Sequence, residues 1–402
     1  MLTGSDTSSL EGVLLEELAA LERAGLRRTL RVLHGRNGAR VEADRTYVDF
    51  SSNDYLGLAS DPRVAQAAVA ALRVAGTGAA AARLITGNHE QHEALEHAVA
   101  RFLGTEAALL FPSGYMANIG AIPALGERGD AIYADVLNHA SLIDGCRLSR
   151  AERHVVPHVD LGALERALER ASGGDRSRRR WIVVEGIYSM DGDLAPLADL
   201  AALARRFDAW IYLDDAHGMG VLGPTGRGAA ELAGVVPDIP VIMGTLGKAF
   251  GAAGAFVAGS RALIDYLMNR ARAFVYTTGS PPALAAAAQA GLEIAQAEPD
   301  RRERLRANAR ALRAGLAALG WAPHGGPADG HIVPIVIGDE EATMRSGAAL
   351  RAAGFLVGAI RPPTVPRGTA RLRLTVSAAH SSEDVAALLR ALASALPPRP
   401  AS

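Results

Sequence analysis

The sequence predicts an α/β fold, with a mainly parallel central sheet, helices on both faces, and a smaller C-terminal α+β domain. The first observation is that helix-length segments alternate with short apolar runs between about residues 64 and 280. The second is that several of these runs are apolar at every position, as strands covered by helices on both faces must be. Polar residues follow the runs directly, and in such sheets ligands bind outside the carboxyl ends of the strands. The clearest predicted strands are 107–111, 131–134, 181–185, 210–214, 241–244 and 255–257.

The chain opens on a predicted helix and arm. Ser8 and Glu11 have the spacing of a capping box, and apolar residues continue at helical spacing as far as Leu21. Residues 41–50 alternate like a short hairpin. We therefore predict three regions: an N-terminal helix and arm at 1–50, a large α/β domain at 51–285 and a small α+β domain at 286–402.

The small domain is predicted from the order of its segments. An alanine-rich helical stretch runs to about residue 319, and residues 397–402 read as a frayed tail. Between them the pattern predicts a strand at 332–337, a helix at 342–353, strands near Phe355 and Leu372, and a helix at 382–396.

Composition excludes several classes of protein. The 402 residues are 49% hydrophobic, enough for a sizeable core, and 42 basic residues balance 43 acidic ones. This balance argues against a nucleic-acid or anionic-membrane binder. The single cysteine, Cys146, argues against disulfides and a structural zinc site. The first thirty residues lack a signal-peptide core, and no apolar stretch is long enough to span a membrane, so we expect a cytoplasmic protein.

A lysine in a glycine-rich turn is the first candidate for chemistry. Lys248 lies in residues 244–251, which read GTLGKAFG and follow an apolar run. An amine in apolar surroundings has a lowered pKa, which suits Schiff-base chemistry with carbonyls. The turn alone is equally compatible with a solvated loop lysine. A phosphate-binding P-loop is excluded, because Ile242 and Ala249 stand where that motif needs Gly and Ser or Thr.

Two acids and a histidine end the predicted strand 210–214. Asp214 and Asp215 come first, followed by His217. A carboxylate buried at a strand end needs a cationic partner, such as the protonated ring nitrogen of a heteroaromatic cofactor. Residues 218–223 also match the glycine pattern of dinucleotide-binding folds, but Pro-Thr-Gly follows where a helix should begin. We therefore interpret that match as accidental.

Three other strand ends carry polar groups. Residues 112–118 predict a glycine turn that opens a helix, whose free backbone N–H groups suit a phosphate. His139 follows the predicted strand 131–134, although such a histidine is more often structural than catalytic. Ser189 lies in a segment, 183–193, that is also compatible with an ordinary turn.

Together these segments resemble one family. From about residue 26 to residue 380 the chain resembles the α-oxoamine synthases, which are pyridoxal 5'-phosphate (PLP) enzymes of the aspartate-aminotransferase fold, fold type I. Several separate motifs match the family in the same order along the chain, which argues against agreement by chance. The most specific matches are SSNDYLGL at 51–58, DDAHGMG at 214–220, the lysine turn at 244–251 and IRPPTVPRG at 360–368.

The resemblance implies a cofactor role for each strand end. Lys248 would form a Schiff base with PLP, and Asp214 would keep its pyridine nitrogen protonated, so that the ring accepts electrons. His139 would stack on the ring, while His217 and Ser189 would contact its phenolic oxygen. The implied phosphate contacts are Gly114, Tyr115, Thr245 and, from the other subunit of a homodimer with shared active sites, Thr277 and Thr278.

The resemblance also implies a reaction. It is a PLP-dependent, decarboxylating condensation of L-alanine with pimeloyl-CoA, or with pimeloyl carried on acyl carrier protein, that releases CoA and CO₂ in biotin biosynthesis. The catalytic residues would be Lys248, His139, Asp214 and His217, with the lysine as general base. A bidentate guanidinium, that of Arg361, suits the amino-acid carboxylate. The implied substrate contacts are Arg27, Asn53, His139, Arg361 and Thr364.

Two alternatives remain open on the sequence. The first is a sister reaction that joins glycine to acetyl-CoA, or uses another acyl-CoA. The second is a non-catalytic subunit with the same fold, against which the intact Lys248 and Asp214 argue. Residues 76–87 depart from the family's usual Gly- and Ser-rich run, and Ala82 replaces a hydroxyl residue near the implied substrate. This leaves the choice of amino acid or acyl group open, but not the cofactor chemistry.

Overall fold

The computed structural model describes residues 9–172, 179–321, 323 and 325–398. The strands are β1 (Gly35–Asn37), β2 (Arg40–Glu42), β3 (Thr46–Asp49), β4 (Ala107–Phe111), β5 (Ala131–Asp135), β6 (Glu152–Val156), β7 (Arg180–Glu185), β8 (Ala209–Asp214), β9 (Val241–Thr245), β10 (Ala255–Gly259), β11 (Ile332–Gly338), β12 (Phe355–Leu356), β13 (Gly358–Ile360) and β14 (Ala370–Thr375). The helices are α1 (Leu10–Arg23), α2 (Pro62–Ala75), α3 (Glu90–Leu103), α4 (Gly114–Leu125), α5 (Ala140–Leu148), α6 (Leu161–Ser172), α7 (Leu197–Arg206), α8 (Ala229–Leu232), α9 (Arg261–Arg270), α10 (Arg272–Val275), α11 (Pro282–Ala297), α12 (Asp300–Ala318), α13 (Glu340–Ala352) and α14 (Ser382–Ala395).

The central sheet confirms the predicted fold class. In the described residues its seven strands lie in the order β4-β10-β9-β8-β7-β5-β6. Neighbouring strands are parallel except at β10, which is antiparallel to both β4 and β9. Strands β4 and β10 are buried at every position, which explains their continuous apolar sequence. The carboxyl ends of β5, β7, β8 and β9 therefore meet at one edge of the sheet.

All six strands predicted for this sheet are present, and one strand was missed. The missed strand is β6, which pairs with β5 at the edge of the sheet. Its sequence, ERHVV, places exposed charged side chains on an edge that faces solvent. A strand with exposed charged residues does not give the apolar run by which the buried strands were recognised.

A smaller sheet domain follows, as predicted. Strands β11, β14 and β13 form an antiparallel sheet, against which α13 packs. The predicted helical stretch to about 319 is two helices, α11 and α12, with Pro299 at the break. The predicted hairpin at 41–50 is β2 and β3, and β3 also pairs with β12 of the small domain. The three-region boundaries remain predictions, as does the frayed tail, of which residues 399–402 lie outside the described part.

The cap of the N-terminal helix lies one residue later than predicted. Ser8 lies outside the described residues, and the N-cap is Ser9, whose Oγ accepts a hydrogen bond from the Gly12 amide at 3.0 Å. The apolar side chains of α1 face solvent in the single chain. They are Leu10, Val13, Leu14, Leu15, Leu18 and Leu21. Among the described residues, no helix is both long enough and apolar enough to cross a bilayer.

Candidate active site

Lys248 is the only lysine in the chain, and the structure places its side chain partly inside the protein, against the end of the central sheet. The turn that carries it leaves β9 and closes with hydrogen bonds from Leu246 N to Gly254 O at 2.9 Å and from Gly251 N to Lys248 O at 3.0 Å. Gly251 has φ +67°, and a Cβ there would lie 2.3 Å from the carbonyl carbon of Leu58. Only glycine lets this turn pack so closely against the segment 51–58.

The amine contacts a buried histidine. Lys248 Nζ lies 3.0 Å from His217 Nε2. Burial lowers the pKa of Lys248 to about 8, although the carboxyl groups of Asp214 and Glu185 act in the opposite direction. Burial, together with the charge of Lys248, lowers the pKa of His217 well below its ordinary value. The histidine is therefore neutral at pH 7, and much more of the lysine is neutral than at its ordinary pKa of 10.5.

Two buried rings support His217 from behind. The Tyr55 hydroxyl lies 2.6 Å from His217 Nδ1 and 3.1 Å from Asn53 Oδ1. The ring of His331 meets that of Tyr55 edge-on, with centroids 4.2 Å apart. Burial lowers the pKa of His331 to about 3, so this ring is neutral as well. Asn53 was an expected site residue, whereas Tyr55 and His331 were not.

Asp214 is held at the end of β8 by donors on both carboxylate oxygens. Asn118 Nδ2 donates to its Oδ2 at 2.8 Å, and the Ala216 amide donates to its Oδ1 at 3.0 Å. The Tyr212 hydroxyl donates to Asn118 Oδ1 at 2.9 Å, which fixes the orientation of that amide. Asn118 projects from α4, so this helix positions the acid that the sequence predicted.

Two further carboxyl groups surround Asp214. Glu185 lies opposite it in the β7–β8 register, and burial, reinforced by the charge of Asp214, raises the pKa of Glu185 well above its ordinary value. Burial also raises the pKa of Asp215, whose side chain fills a space that Cβ atoms on Gly186 or Gly218 would enter. Among these three acids, the carboxyl group of Asp214 acts most strongly on the pKa of Lys248.

His139 lies between Glu185 and the Asn118 amide. Its backbone N–H donates to Glu185 Oε1 at 2.5 Å, and its Nδ1 lies 2.8 Å from Ser141 Oγ. Asn118 Nδ2 also donates to Ser141 Oγ, at 2.9 Å. Burial lowers the pKa of His139, which keeps its ring neutral. Hydrogen bonds thus connect His139 to Asp214 through Ser141 and Asn118.

The N-terminus of α4 offers a place for an anion. Ser113 caps the helix through Met116, and among the described residues the Gly114 and Tyr115 amides have no protein acceptor. A Cβ on Gly114 would lie 2.8 Å from Thr245 Cγ2, so the helix start adjoins the base of the lysine turn. Free N–H groups at a helix N-terminus bind phosphate.

The remaining expected residues lie outside this cluster. Thr278 pairs with Ala82 in a short antiparallel bridge, and Thr277 precedes it on the same segment. Arg27 forms an ion pair with Glu22, at 3.3 Å. Thr364 accepts a hydrogen bond from Arg28, a neighbour of the expected Arg27.

Two arginines of the small domain contrast with each other. The Arg361 guanidinium lies at the surface, 3.0 Å from Met344 Sδ. Arg373, which was not predicted, is buried and donates from Nε to the Ser189 carbonyl at 2.5 Å. Its other nitrogens lie 3.4 and 3.5 Å from Asn53 Oδ1. Its strand, ARLRLT, carries two arginines at alternating positions, and both are buried, which a local pattern of alternation does not predict.

Comparisons with known proteins agree with this geometry. Residues 45–392 match the family model described as aminotransferase class I and II. An 8-amino-7-oxononanoate synthase from Methylococcus capsulatus is 50% identical over 382 residues, which cover 94% of this chain and 97% of the relative. Another from Alkalilimnicola ehrlichii is 50% identical over 394 residues, covering 97% and 99%.

Solved structures show the same likeness. A serine palmitoyltransferase variant from S. paucimobilis, with a bound PLP–myriocin aldimine, aligns with a TM-score of 0.90 and 31% identity over 98% of both chains. An 8-amino-7-oxononanoate synthase from Francisella tularensis aligns with a TM-score of 0.73 and 28% identity, over 87% of this chain and 97% of that one. The chain therefore belongs to the aminotransferase class I and II family.

Proposed function

We propose that this chain is a PLP-dependent acyltransferase that condenses L-alanine with a pimeloyl thioester, with loss of CO₂. The product would be 8-amino-7-oxononanoate, an intermediate of biotin biosynthesis. The observation that carries the proposal is the lone lysine, buried 3.0 Å from His217 and beside Asp214. Relatives that are 50% identical over nearly their whole length are named for this reaction, which supports it further.

The residues present fit PLP. Its phosphate matches the free amides of Gly114 and Tyr115 at the start of α4. Its pyridine nitrogen needs an anion held in place, which Asp214 provides with both oxygens already hydrogen-bonded. Its aldehyde reacts with a neutral amine, and a pKa of about 8 leaves far more of the amine neutral near pH 7 than the ordinary 10.5 would. A flat ring between these groups would lie against His139.

Each residue then has a defined task. When bound, PLP supplies an electron sink for the negative charge that forms at the amino-acid Cα. Asp214 holds the proton on the pyridine nitrogen, and its Asn118 bond keeps the acceptor oxygen in line. His139 would cover one face of the ring, while His217 Nε2 and Ser189 would contact its phenolic side. These groups are held before substrate arrives, so little reorganisation is needed during the reaction.

Lys248 moves the proton. Its neutral amine takes the α-proton of alanine, and its cationic form returns a proton to the same carbon after CO₂ has left. A pKa of about 8 suits both directions, because near neutral pH the cationic form predominates while a useful share of the amine is neutral. An unperturbed lysine, at 10.5, would be almost entirely protonated and would act only as an acid.

The substrate contacts are the less complete part of the proposal. Asn53 lies within the buried cluster through Tyr55 and Arg373. Arg361 is the proposed ligand of the alanine carboxylate and must leave Met344 to reach it. Ala82 would face the amino-acid side chain or the acyl group, where a residue without a hydroxyl favours an apolar methyl such as that of alanine.

We also propose a homodimer in the cytoplasm, with Thr277 and Thr278 reaching the phosphate of the partner's site. Support comes from apolar side chains that face solvent near these residues: Ile85 is 76% exposed and Tyr276 is 73% exposed. The leucines of α1 are exposed as well, and burial of such apolar side chains favours association of two chains. The buried thiol of Cys146 is compatible with a reducing compartment.

A borohydride experiment tests the cofactor half. Reduction of the PLP-loaded protein should add one pyridoxyl phosphate per chain, and peptide mapping should place it on Lys248. The chain has no second lysine, so the mass of the intact protein is already diagnostic. Lys248→Arg is the matched control and should gain no mass. An unmodified wild-type chain would overturn the proposal.

A thioester panel tests the reaction. The protein is offered alanine, glycine or serine with pimeloyl-CoA, acetyl-CoA or palmitoyl-CoA, and free thiol is measured. We expect the fastest release with alanine and pimeloyl-CoA. Faster release with glycine and acetyl-CoA would replace the proposed substrates, and release with no pair would favour a non-catalytic subunit.

A further inference from the structure

His158 lies between two carboxylates at the edge of the central sheet. Its Nδ1 is 3.0 and 3.1 Å from the two oxygens of Asp135, and its Nε2 is 2.7 Å from Asp193 Oδ2. An ionised carboxylate only accepts hydrogen bonds, so each ring nitrogen must carry a proton to make both contacts. The geometry therefore describes an imidazolium with one carboxylate at each end. The ring edge also packs on Tyr188, with centroids 4.5 Å apart.

The first carboxylate shapes the segment that carries His139. Asp135 ends β5 and is buried. Its Oδ1 accepts from the Leu137 amide at 2.8 Å, and its Oδ2 accepts from the Val159 amide at 2.9 Å. These bonds turn the chain directly after the strand, two residues before His139. A shift of Asp135 would therefore move His139 as well.

The second carboxylate belongs to the turn that carries Ser189. Tyr188 N donates to Asp193 O at 3.0 Å, and Gly192 N donates to Tyr188 O at 2.8 Å, which closes the turn. Two arginines of β14 hold it from the opposite side: Arg373 bonds the Ser189 carbonyl at 2.5 Å, and Arg371 pairs with Asp191. His158 is one of two side chains that tie this turn to Asp135, the other being Tyr188 of the turn itself.

We propose that His158 is a positioning residue for the cofactor, whose imidazolium links Asp135 to Asp193 and so fixes the distance between His139 and Ser189. This inference rests on the proposed function, in which those two residues contact PLP on its face and on its phenolic side. His158 itself acts through the two turns. It extends the site by one cation that the resemblance did not assign.

The charges that face the ring agree with this role. Burial by itself lowers the pKa of His158, but hydrogen bonds and charge from Asp135 and Asp193 raise it to about 10. The same contact, against burial, lowers the pKa of Asp135. The other ionisable group against the ring is the neutral phenol of Tyr188. The stabilisation is therefore complete below the unfolded pKa of about 6.5 and is lost as the pH rises through about 10.

Nitrogen NMR of the full-length protein tests the charge directly. With ¹⁵N-histidine, His158 should show two protonated ring nitrogens at pH 8, where an ordinary histidine shows one. His158→Gln assigns the signal by removing it. A His158 that titrates near pH 6.5 would overturn the proposal. This measurement does not depend on PLP, so it separates failure of the inference from failure of the proposed function.

Two variants and a control test the positioning role. His158→Gln removes the charge, and Asp193→Asn keeps the shape of the turn but removes one carboxylate. His154→Gln is the matched control, because His154 lies on β6 four residues before His158 but is paired with Glu152 and stacked on Tyr133. Each PLP-loaded protein is measured for its visible absorption spectrum against pH, its PLP dissociation constant and its melting temperature.

Both site variants should shift the pH midpoint of the cofactor's absorption bands and weaken PLP binding about tenfold, the effect of losing one charge-assisted hydrogen bond. The control should keep the wild-type spectrum and affinity. A lower melting temperature with an unchanged spectrum and affinity in both site variants would overturn the proposal, since it would leave only a structural role. A wild-type protein that binds no PLP would instead overturn the proposed function.

Discussion

The residues proposed to bind the cofactor and those proposed to bind the substrate, here called the cofactor half and the substrate half, differ in how completely a single chain assembles them. Around Lys248, the groups of His217, Asp214 and Asn118 are buried; His217 contacts the lysine amine, and Asn118 donates a hydrogen bond to Asp214. The side chains of Arg361 and Thr364, in contrast, lie at the surface and bond to residues outside the cluster. The difference teaches that preorganisation is concentrated where charge develops in the reaction.

The physical reason lies in the cost of burial. A buried acid or amine must have its partners in place, because an unpaired polar group costs about 1–3 kcal/mol. The cofactor half is therefore already ordered in the folded chain. An exposed guanidinium is solvated in either position, so Arg361 can wait near Met344 until substrate or a second subunit draws it inward.

Replacing the lysine should have the largest effect. Lys248→Ala removes both the amine that binds the aldehyde and the base that moves the α-proton, so thiol release should fall about 10³–10⁴-fold. The fold should survive, because Ala leaves the glycine turn intact. The check is thiol release alongside the melting temperature. A variant that keeps a tenth of the activity would contradict the roles proposed for Lys248.

Asp214→Asn should have the second largest effect. The amide cannot hold the pyridine proton by charge, so turnover should fall about 10²–10³-fold while PLP still binds. Thiol release measures turnover, and the cofactor's absorption spectrum measures PLP binding. Asp215→Asn is the control, because burial raises the pKa of that acid well above its ordinary value and an isosteric amide should cost far less there. Equal losses in the two variants would contradict the charge assignment.

The two arginines sharpen the comparison further. Arg361→Gln should raise the KM for alanine about tenfold with little change in melting temperature, because its present contacts are at the surface. Arg373→Gln should lower the melting temperature, because the Ser189 carbonyl loses a buried donor. If only the Arg373 variant raises the KM for alanine, then Arg373, and not Arg361, binds the alanine carboxylate.

The smallest expected effect is a shift in pH dependence. The folded pKa of Lys248 is lowered to about 8, so in the PLP-free protein its labelling by an amine reagent should reach half its maximal rate near pH 8, not near 10.5. The associated burial penalty is full below pH 8 and is relieved between pH 8 and 10.5, where the unfolded chain binds the extra proton. Peptide mapping separates this amine from the N-terminal one. A midpoint above pH 10 would place the lysine in solvent.

Much of the fold and of the cofactor half could be predicted from the sequence. The buried strands read as continuous apolar runs, and Lys248, Asp214 and His217 follow such runs directly. Strand β6 was missed, because an edge strand with exposed charges lacks that signal.

The missed site residues share a different cause. Asn118 contacts Asp214, which lies 96 positions later in the chain, and Tyr55 contacts His217, 162 positions later. No local sequence pattern encodes contacts over such distances. Arg373 and His331 reach the site from the small domain, whose placement depends on the whole fold. His158 was missed because its two carboxylates come from separate strand ends.

The lone lysine has a practical consequence for chemical labelling. All other side-chain cations that are charged at every working pH are arginines, so a reagent specific for ε-amines has a single target, which lies inside the protein. The rate of labelling by such a reagent therefore measures how readily the pocket around Lys248 opens. Random coupling to a surface through lysines would capture only chains whose pocket is open, so attachment should instead use a tag or the N-terminus.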